Sequence, residues 1–253
     1  MSGFPYSLTG PIGKRRLGLI VLKADETVEQ DFRRLFPAPQ TALYVSRIPS
    51  GDELTTDTIG AMEAHLPATA ALLPPATRFD AIGYACTSGT AQIGAGRVAR
   101  LIGEQADARA VTDPLTAALA AFRACSLRRV GIVSPYIPSV AAPIRRAFEA
   151  AGFEVGETLS FGEEVEARVA RIAPVSIRDA ALSLARAGGL DGLFLSCTNL
   201  RTLDIIEDLE AELGLPVISS NLALAWHMDR LSGTQAGLAI PGRLGRQALP
   251  AGA

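Results

Sequence analysis

Short, nearly continuous apolar runs alternate along the chain with stretches whose apolar residues recur at helical spacing. Arg16 to Leu22 (RLGLIVL) has no polar face, as expected of a parallel strand covered on both sides. Thr27 to Leu35 then reads as a helix, Ala42 to Ile48 as a strand, and Thr55 to Leu73 as a long helix stopped by Pro74-Pro75. Phe79 to Ala85 is a third strand that breaks at Cys86-Thr87-Ser88-Gly89. A helix over Ala91 to Glu104, a short strand at Ala110-Val111 and a helix over Pro114 to Ala124 complete this stretch. Pro114 suits a first helical turn, where its missing N–H has no partner to lose.

The same grammar then repeats. Strands are predicted over Arg129 to Ser134, Phe153 to Leu159, Leu190 to Ser196 and Pro216 to Ser219. Helices are predicted over Val140 to Ala151, Ile177 to Ala187, Leu203 to Leu213 and Leu222 to Leu231. The repetition extends to residue level. LGLI at 17–20 matches VGIV at 130–133, an offset of 113 residues, and FDAIGYACT at 79–87 matches LDGLFLSCT at 190–198, an offset of 111. Strands alternating with helices imply parallel sheets with right-handed crossovers. The expected fold class is therefore α/β: two similar Rossmann-like halves with parallel sheets, related by a pseudo-two-fold axis, with the active site in the cleft between them. The expected boundaries are 1–125 for the first half, joined by 221–253 packing back on it, and 126–220 for the second.

Composition removes several function classes. The 253 residues carry a net charge of −2, so no basic footprint points to nucleic acid. Aromatic residues are 6% of the chain, too few for stacking platforms. No apolar stretch approaches the roughly 20 residues that span a bilayer, and the N-terminal region has no apolar leader core. Cys86, Cys125 and Cys197 are too few and too dispersed for a disulfide framework. A cytoplasmic, reduced, soluble protein is expected, with no membrane or nucleic-acid partner.

Candidate chemistry sits at the duplicated strand ends. Each half carries a Cys-Thr pair, Cys86-Thr87 and Cys197-Thr198, where an apolar strand stops and a helix is expected to start. Open parallel sheets bind ligands beyond the carboxyl ends of their strands. A helix N-terminus there would favour a thiolate and lower the cysteine pKa. Thr87, Ser88, Thr198 and Asn199 would add polar groups that cradle a carboxylate. The duplication would set Cys86 and Cys197 on opposite faces of a small carboxylate. One could attack or deprotonate carbon while the other donates a proton. No cofactor and no metal are expected. Cys125 has no counterpart and reads as packing, His227 as a satisfied core histidine, and His65 as solvated. The cluster Glu163, Glu164, Glu166, Arg168 and Arg171 reads as a solvated loop and helix start.

These residues resemble the aspartate/glutamate racemase superfamily, and most of all its maleate cis-trans isomerase branch. The resemblance runs from Leu17 to about Gly233, carried by LGLIVLKADETVEQDF at 17–32, YACTSGTAQIG at 84–94, VGIVSPYIPSV at 130–140, SCTNLRT at 196–202 and SNLALAWHMDRLSG at 220–233. It implies Cys86 as a nucleophile that adds to a double bond and Cys197 as its acid/base partner. It also implies Tyr136 as a ligand of the substrate carboxylate, and a homodimer or homotetramer. One position departs from the pattern. Where such isomerases carry an asparagine after the first strand, this chain has Asp25 within Lys23-Ala24-Asp25-Glu26-Thr27. An ionised aspartate accepts hydrogen bonds but donates none, and it repels a carboxylate. Asp25 therefore turns away or stays protonated, meets a cationic or donor group of the substrate, or simply caps the following helix.

The expected function is a cofactor-independent isomerase of a small (di)carboxylate, nearest to the isomerisation of maleate to fumarate. The alternatives are an amino-acid racemase, of aspartate/glutamate type or acting on a diamino-acid-derived substrate, and a non-catalytic ligand-binding relative. A metal site would require Cys86, Cys197 and His227 to converge.

Overall fold

The computed structural model describes residues 3–233 and 240–250; the remainder of the expected C-terminal segment, and Met1-Ser2, lie outside the described residues. The first half runs β1 (Arg15–Leu22), α1 (Val28–Leu35), β2 (Thr41–Ile48), α2 (Thr56–Ala61), α3 (Leu66–Ala70), β3 (Ala81–Ala85), α4 (Thr87–Ile93), α5 (Ala95–Gly103), β4 (Val111–Thr112) and α6 (Pro114–Ala124). The second runs β5 (Arg129–Tyr136), α7 (Pro138–Ala150), β6 (Glu154–Glu163), α8 (Glu166–Val169), α9 (Pro174–Arg186), β7 (Gly192–Leu195), α10 (Ile206–Leu213), β8 (Val217–Ser219) and α11 (Ser220–Ser232).

The strands form two four-stranded parallel sheets, ordered β2-β1-β3-β4 and β6-β5-β7-β8. The orders are the same when read from the first strand of each half. The fold is thus α/β with two similar halves. The repeated Asp of FDAIGYACT and LDGLFLSCT has one job in both. Asp80 Oδ2 accepts the Arg16 N–H at 2.7 Å, and Asp191 Oδ2 accepts the Arg128 and Arg129 N–H groups at 2.9 and 2.8 Å. Each carboxylate fixes the start of the central strand. The repeated glycine lets a neighbour close on that strand: a Cβ on Gly18 would lie 2.9 Å from Ile82 Cγ1, and one on Gly131 2.7 Å from Leu190 Cδ1.

The helix expected over Thr55 to Leu73 is broken. Thr55 and Thr58 form a reciprocal capping box that opens α2, and a 3₁₀ turn at Met62–His65 separates it from α3. Pro67 explains the break, since it cannot donate to the carbonyl four residues back and its ring crowds that carbonyl. The helix expected from Ala91 begins earlier, at Thr87, and Gly94 at φ 95° divides it into α4 and α5. Cys86-Thr87-Ser88-Gly89 is therefore a helix cap and first turn.

Helix α11 follows the last strand of the second half, yet it packs on α6, β3 and α1 of the first as well as on β8. Ser220 to Asp229 are all buried, so the helix needs no polar face. Gly83 on β3 admits it; a Cβ there would meet Met228 Sδ at 2.6 Å. The fully buried Arg15 pairs with Asp229 at 2.8 Å, tying β1 to α11. No helix among the described residues is long and apolar enough to cross a membrane.

Candidate active site

Strand ends bring the two Cys-Thr motifs together, and Ser220 joins them. The buried Ser220 hydroxyl, at the start of α11, accepts from Thr87 Oγ1 at 2.8 Å and from the Cys197 N–H at 3.0 Å. Thr198 Oγ1 donates across to the Ala85 carbonyl at 3.2 Å. Cys86 and Cys197 are each 2% exposed. The buried Tyr136, at the end of β5, lies within hydrogen-bonding reach of the Cys197 thiol and also senses Cys86 and Glu166. Tyr136 thus couples electrostatically to both sulfurs and to Glu166.

The two sulfurs are held differently. Cys86 caps α4, its Sγ accepting the Gly89 N–H at 3.1 Å with Ser88 Oγ at 3.6 Å. Gly89 is required for that approach, because a Cβ there would stand 2.8 Å from Cys86 Sγ and 2.5 Å from Tyr84 Oη. Cys197 has no helix behind it. Residues 198–202 turn before a 3₁₀ segment at Leu203–Ile205, and the α-helix starts only at Ile206. Cys197 instead sits at φ 123°, a conformation that costs a non-glycine residue about 1–3 kcal/mol. Its Sγ accepts the Asn199 N–H at 3.3 Å.

The expected lowering of the thiol pKa is not what the folded chain shows. Burial pushes the Cys86 thiol up to about 11, outweighing the Ser88 and Gly89 hydrogen bonds. Burial also holds the Cys197 thiol well above the usual range, and the Glu166 carboxylate adds to the rise. Helix termini and hydrogen bonds favour the thiolate, but desolvation of two sealed sulfurs is the larger effect. Both thiols are neutral in this state.

Each remaining predicted site residue has a definite place. The Thr87, Thr198 and Asn199 polar groups are engaged within the protein. Asn199 Oδ1 accepts the Glu26 N–H at 2.9 Å, while Nδ2 donates to Glu166 Oε1 at 2.8 Å. Asp25 Oδ1 accepts from Thr27 and Val28 N–H groups at 2.8 and 2.9 Å, bracing the turn into α1 two residues before its N-cap, Thr27. Burial raises the Asp25 carboxyl pKa. His227 is buried, its Nδ1 2.7 Å from Thr112 Oγ1, and burial lowers its pKa to about 4. His65 is exposed, and Cys125 is half-buried at the end of α6. No group of three or more His, Cys, Asp or Glu among the described residues is placed to hold a metal ion.

Glu166 corrects the reading of its cluster as solvated. It is 3% exposed, and burial raises its carboxyl to about 7. What turns it inward is a pairing of distant loops. Glu53 and Val165 form an antiparallel bridge, Leu54 N–H donates to Glu164 O at 2.8 Å, and Glu166 N–H donates to Asp52 O at 3.1 Å. The loop after β2 thereby clasps the loop after β6. Two crevices flank Ile59 of α2, one bordered by Ser88 and the other by Glu166. Each holds about 10 Å³, a single water at most.

Comparison with known proteins agrees with this geometry. The chain is 27% identical to the maleate isomerase of Nocardia farcinica (strain IFM 10152), over 93% of this chain and 97% of that one. It is 34% identical to the arylmalonate decarboxylase of Bordetella bronchiseptica over 48% of this chain and 51% of that one. The crystal structure of the maleate isomerase Iso from Pseudomonas putida S16 superposes with a TM-score of 0.82 at 23% identity, covering 91% of this chain and 97% of that chain. The arylmalonate decarboxylase profile matches residues 97–244, more than half of the sequence. The chain belongs to the arylmalonate decarboxylase family, within the aspartate/glutamate racemase-like superfamily.

Proposed function

We propose that this protein is a cofactor-independent isomerase of a small carboxylate whose reacting groups are Cys86 and Cys197. The observation that carries the reading is the Ser220 hydroxyl, bonded at once to Thr87 beside one cysteine and to the backbone of the other. A structural role alone gives no reason to bury two thiols, a tyrosine and a carboxylate within electrostatic reach of one another. The nearest named activity is that of the Nocardia farcinica and Pseudomonas putida relatives, maleate isomerase. A cysteine variant of the Nocardia farcinica enzyme, similar in fold with a TM-score of 0.81, carries a covalently bound succinylcysteine intermediate.

On this reading Cys86, once deprotonated, adds to one alkene carbon, and Cys197 gives its proton to the other. The new single bond rotates. Cys197 then recovers a proton from that carbon, and the C–S bond breaks to leave the trans alkene. Tyr136 holds a substrate carboxylate beside Cys197. Because both thiols are buried and neutral, Cys86 must lose its proton as the ligand enters. Racemisation of an amino acid uses the same pair, one sulfur on each face of Cα, and the acidic Asp25 favours it as the second reading. The reading extends to a cytoplasmic homodimer or homotetramer, which sedimentation would measure.

The test is incubation with maleate and, separately, with chiral amino acids in heavy water, followed by NMR. Fumarate that vanishes with Cys86→Ser or Cys197→Ser supports the first reading. Deuterium at Cα without fumarate supports the second. Turnover unaffected by both substitutions removes the cysteines from the mechanism.

A further inference from the structure

Helix α1 buries a carboxylate where its packing calls for a hydrophobe. Val28, Asp31, Phe32 and Leu35 fall at i, i+3, i+4 and i+7, the spacing of one helix face, and all four are buried. Burial raises the Asp31 carboxyl to about 6, so near pH 7 its ionised form is held in the interior at a cost. An ion pair does not explain it. Arg34, whose charge Asp31 feels, is bonded to Asp204 of the second half. Asp31 forms no ion pair among the described residues. Its Oδ2 instead accepts from Asn221 Nδ2 on α11 at 2.8 Å.

Asn221 reaches on to the Cys197 loop. Its Nδ2 also donates to the Thr198 carbonyl at 2.8 Å. Both partners are acceptors, so the amide can face them only with its nitrogen. Its own Oδ1 is buried and accepts no hydrogen bond among the described residues, in a side chain 1% exposed. An orphaned buried oxygen is destabilising, and the fold bears that cost with both amide hydrogens committed. Ser220, one residue earlier in the same helical turn, holds the Cys197 N–H at 3.0 Å. Consecutive residues of α11 thus grip the chain on either side of the Cys197 side chain, and Cys197 sits between the two grips at φ 123°. A non-glycine residue persists in so sparsely populated a conformation only where its surroundings over-determine it.

We propose that Asp31 and Asn221 are positioning residues for Cys197: the Asp31 carboxylate orients the Asn221 amide, the amide fixes the Thr198 carbonyl, and the fixed peptide keeps the Cys197 backbone in the strained conformation that aims its sulfur. Neither residue touches the reacting atoms. The assignment rests on Cys197 being a reacting group. It makes Asp31 act only through Asn221. It also makes both matter to kcat more than to KM, because a sulfur out of aim slows proton transfer while the groups that bind the carboxylate stay in place.

The experiment compares the full chain with Asp31→Asn, Asp31→Leu, Asn221→Leu and the double variant Asp31→Leu/Asn221→Leu, with rates normalised to the folded fraction. Maleate is the probe for turnover, followed by NMR. Asp31→Leu and Asn221→Leu are each expected to lower kcat by about tenfold to a hundredfold, with KM changed by less than about threefold. Asp31→Asn keeps an oxygen acceptor for the Asn221 amide and is expected to recover most of the loss. The double variant is expected to be no worse than Asn221→Leu, since the relay through Asn221 is already cut. Hydrogen exchange read by mass spectrometry needs no substrate. Amides within 196–202 are expected to exchange at least about tenfold faster in both single Leu variants than in the parent or Asp31→Asn. Parent exchange rates in that segment, additive losses in the double variant, or a parent kcat in folded Asn221→Leu would each overturn the proposal. If Asn221→Leu does not fold, Asp31→Leu against Asp31→Asn decides; with no maleate turnover, the exchange rates decide. Turnover that survives Cys197→Ser alongside the faster exchange sinks the two-cysteine mechanism and supports the clamp. Cys197-dependent turnover indifferent to both Leu variants sinks the clamp alone.

Discussion

Ser220→Ala tests whether one hydroxyl holds the two halves of the site together. Ser220 is fully buried and accepts two hydrogen bonds, from Thr87 Oγ1 at 2.8 Å and the Cys197 N–H at 3.0 Å. The substitution strands both buried donors. Each stranded donor costs about 1–3 kcal/mol. Some relaxation is expected, so the predicted loss is about 3 kcal/mol, or a fall in Tm of roughly 6–12 °C for a chain of this size. The Cys197 backbone, held at φ 123°, loses its one side-chain anchor, so turnover should fall by more than the unfolded fraction explains. Thr87→Val removes one stranded donor in advance. In that background Ser220→Ala should cost about 1–2 kcal/mol less, a coupling that urea denaturation of all four proteins would measure. A loss under about 0.5 kcal/mol for Ser220→Ala, or strict additivity with Thr87→Val, would refute the bridging role.

Three further outcomes are expected. Iodoacetamide at pH 7 should label no cysteine faster than a free thiol: Cys86 and Cys125 are raised to about 11, Cys197 is raised too, and Cys86 and Cys197 are sealed. Rapid labelling of Cys86 or Cys197, read by mass spectrometry, would contradict the neutral-thiol assignment, while Glu166→Gln should speed labelling of Cys197. Glu166, with its carboxyl raised from 4.5 to about 7, binds its proton more tightly folded than unfolded, so its stabilising contribution is full below pH 4.5 and is lost as pH climbs through 7. Glu166→Gln should therefore be more stable than the parent at pH 8, by an amount on the order of 3 kcal/mol at most, with no gain at pH 4.5. His227 has the opposite sign: lowered from 6.5 to about 4, it withdraws stability as pH falls from 6.5 towards 4, so His227→Gln should flatten that limb in acid melts. Asp229→Ala removes one partner of the buried Arg15 guanidinium and should lower stability in urea titrations by about 3 kcal/mol.

The features legible in the sequence are those whose cause is local. The duplication showed because each half repeats a strand glycine, a strand-start aspartate and a strand-end cysteine, and the structure gives each a role in its own half. Asp80 and Asp191 bind the central strand's N–H groups, and Gly18 and Gly131 admit close neighbours. The exact start of α4 was missed because Cys86 is a poor advertisement for a helix cap, where serine, threonine, aspartate or asparagine is usual. Glu166 was missed for a different reason. Nothing within 163–171 turns it inward; the turn comes from pairing with residues 52–54, more than a hundred positions earlier, and such pairing leaves no periodicity to read.

The thiol titration is instructive in the same way. A sulfur at a helix cap suggests a thiolate when the strand end is imagined open to water. Once the folded chain buries it, desolvation reverses the sign. Burial itself thus sets the protonation state of the pair. Glu166 and Asp25 both oppose the charge on Cys197, so any ligand that neutralises them also eases formation of the thiolate. Burial and these two carboxylates together hold the Cys197 thiol neutral.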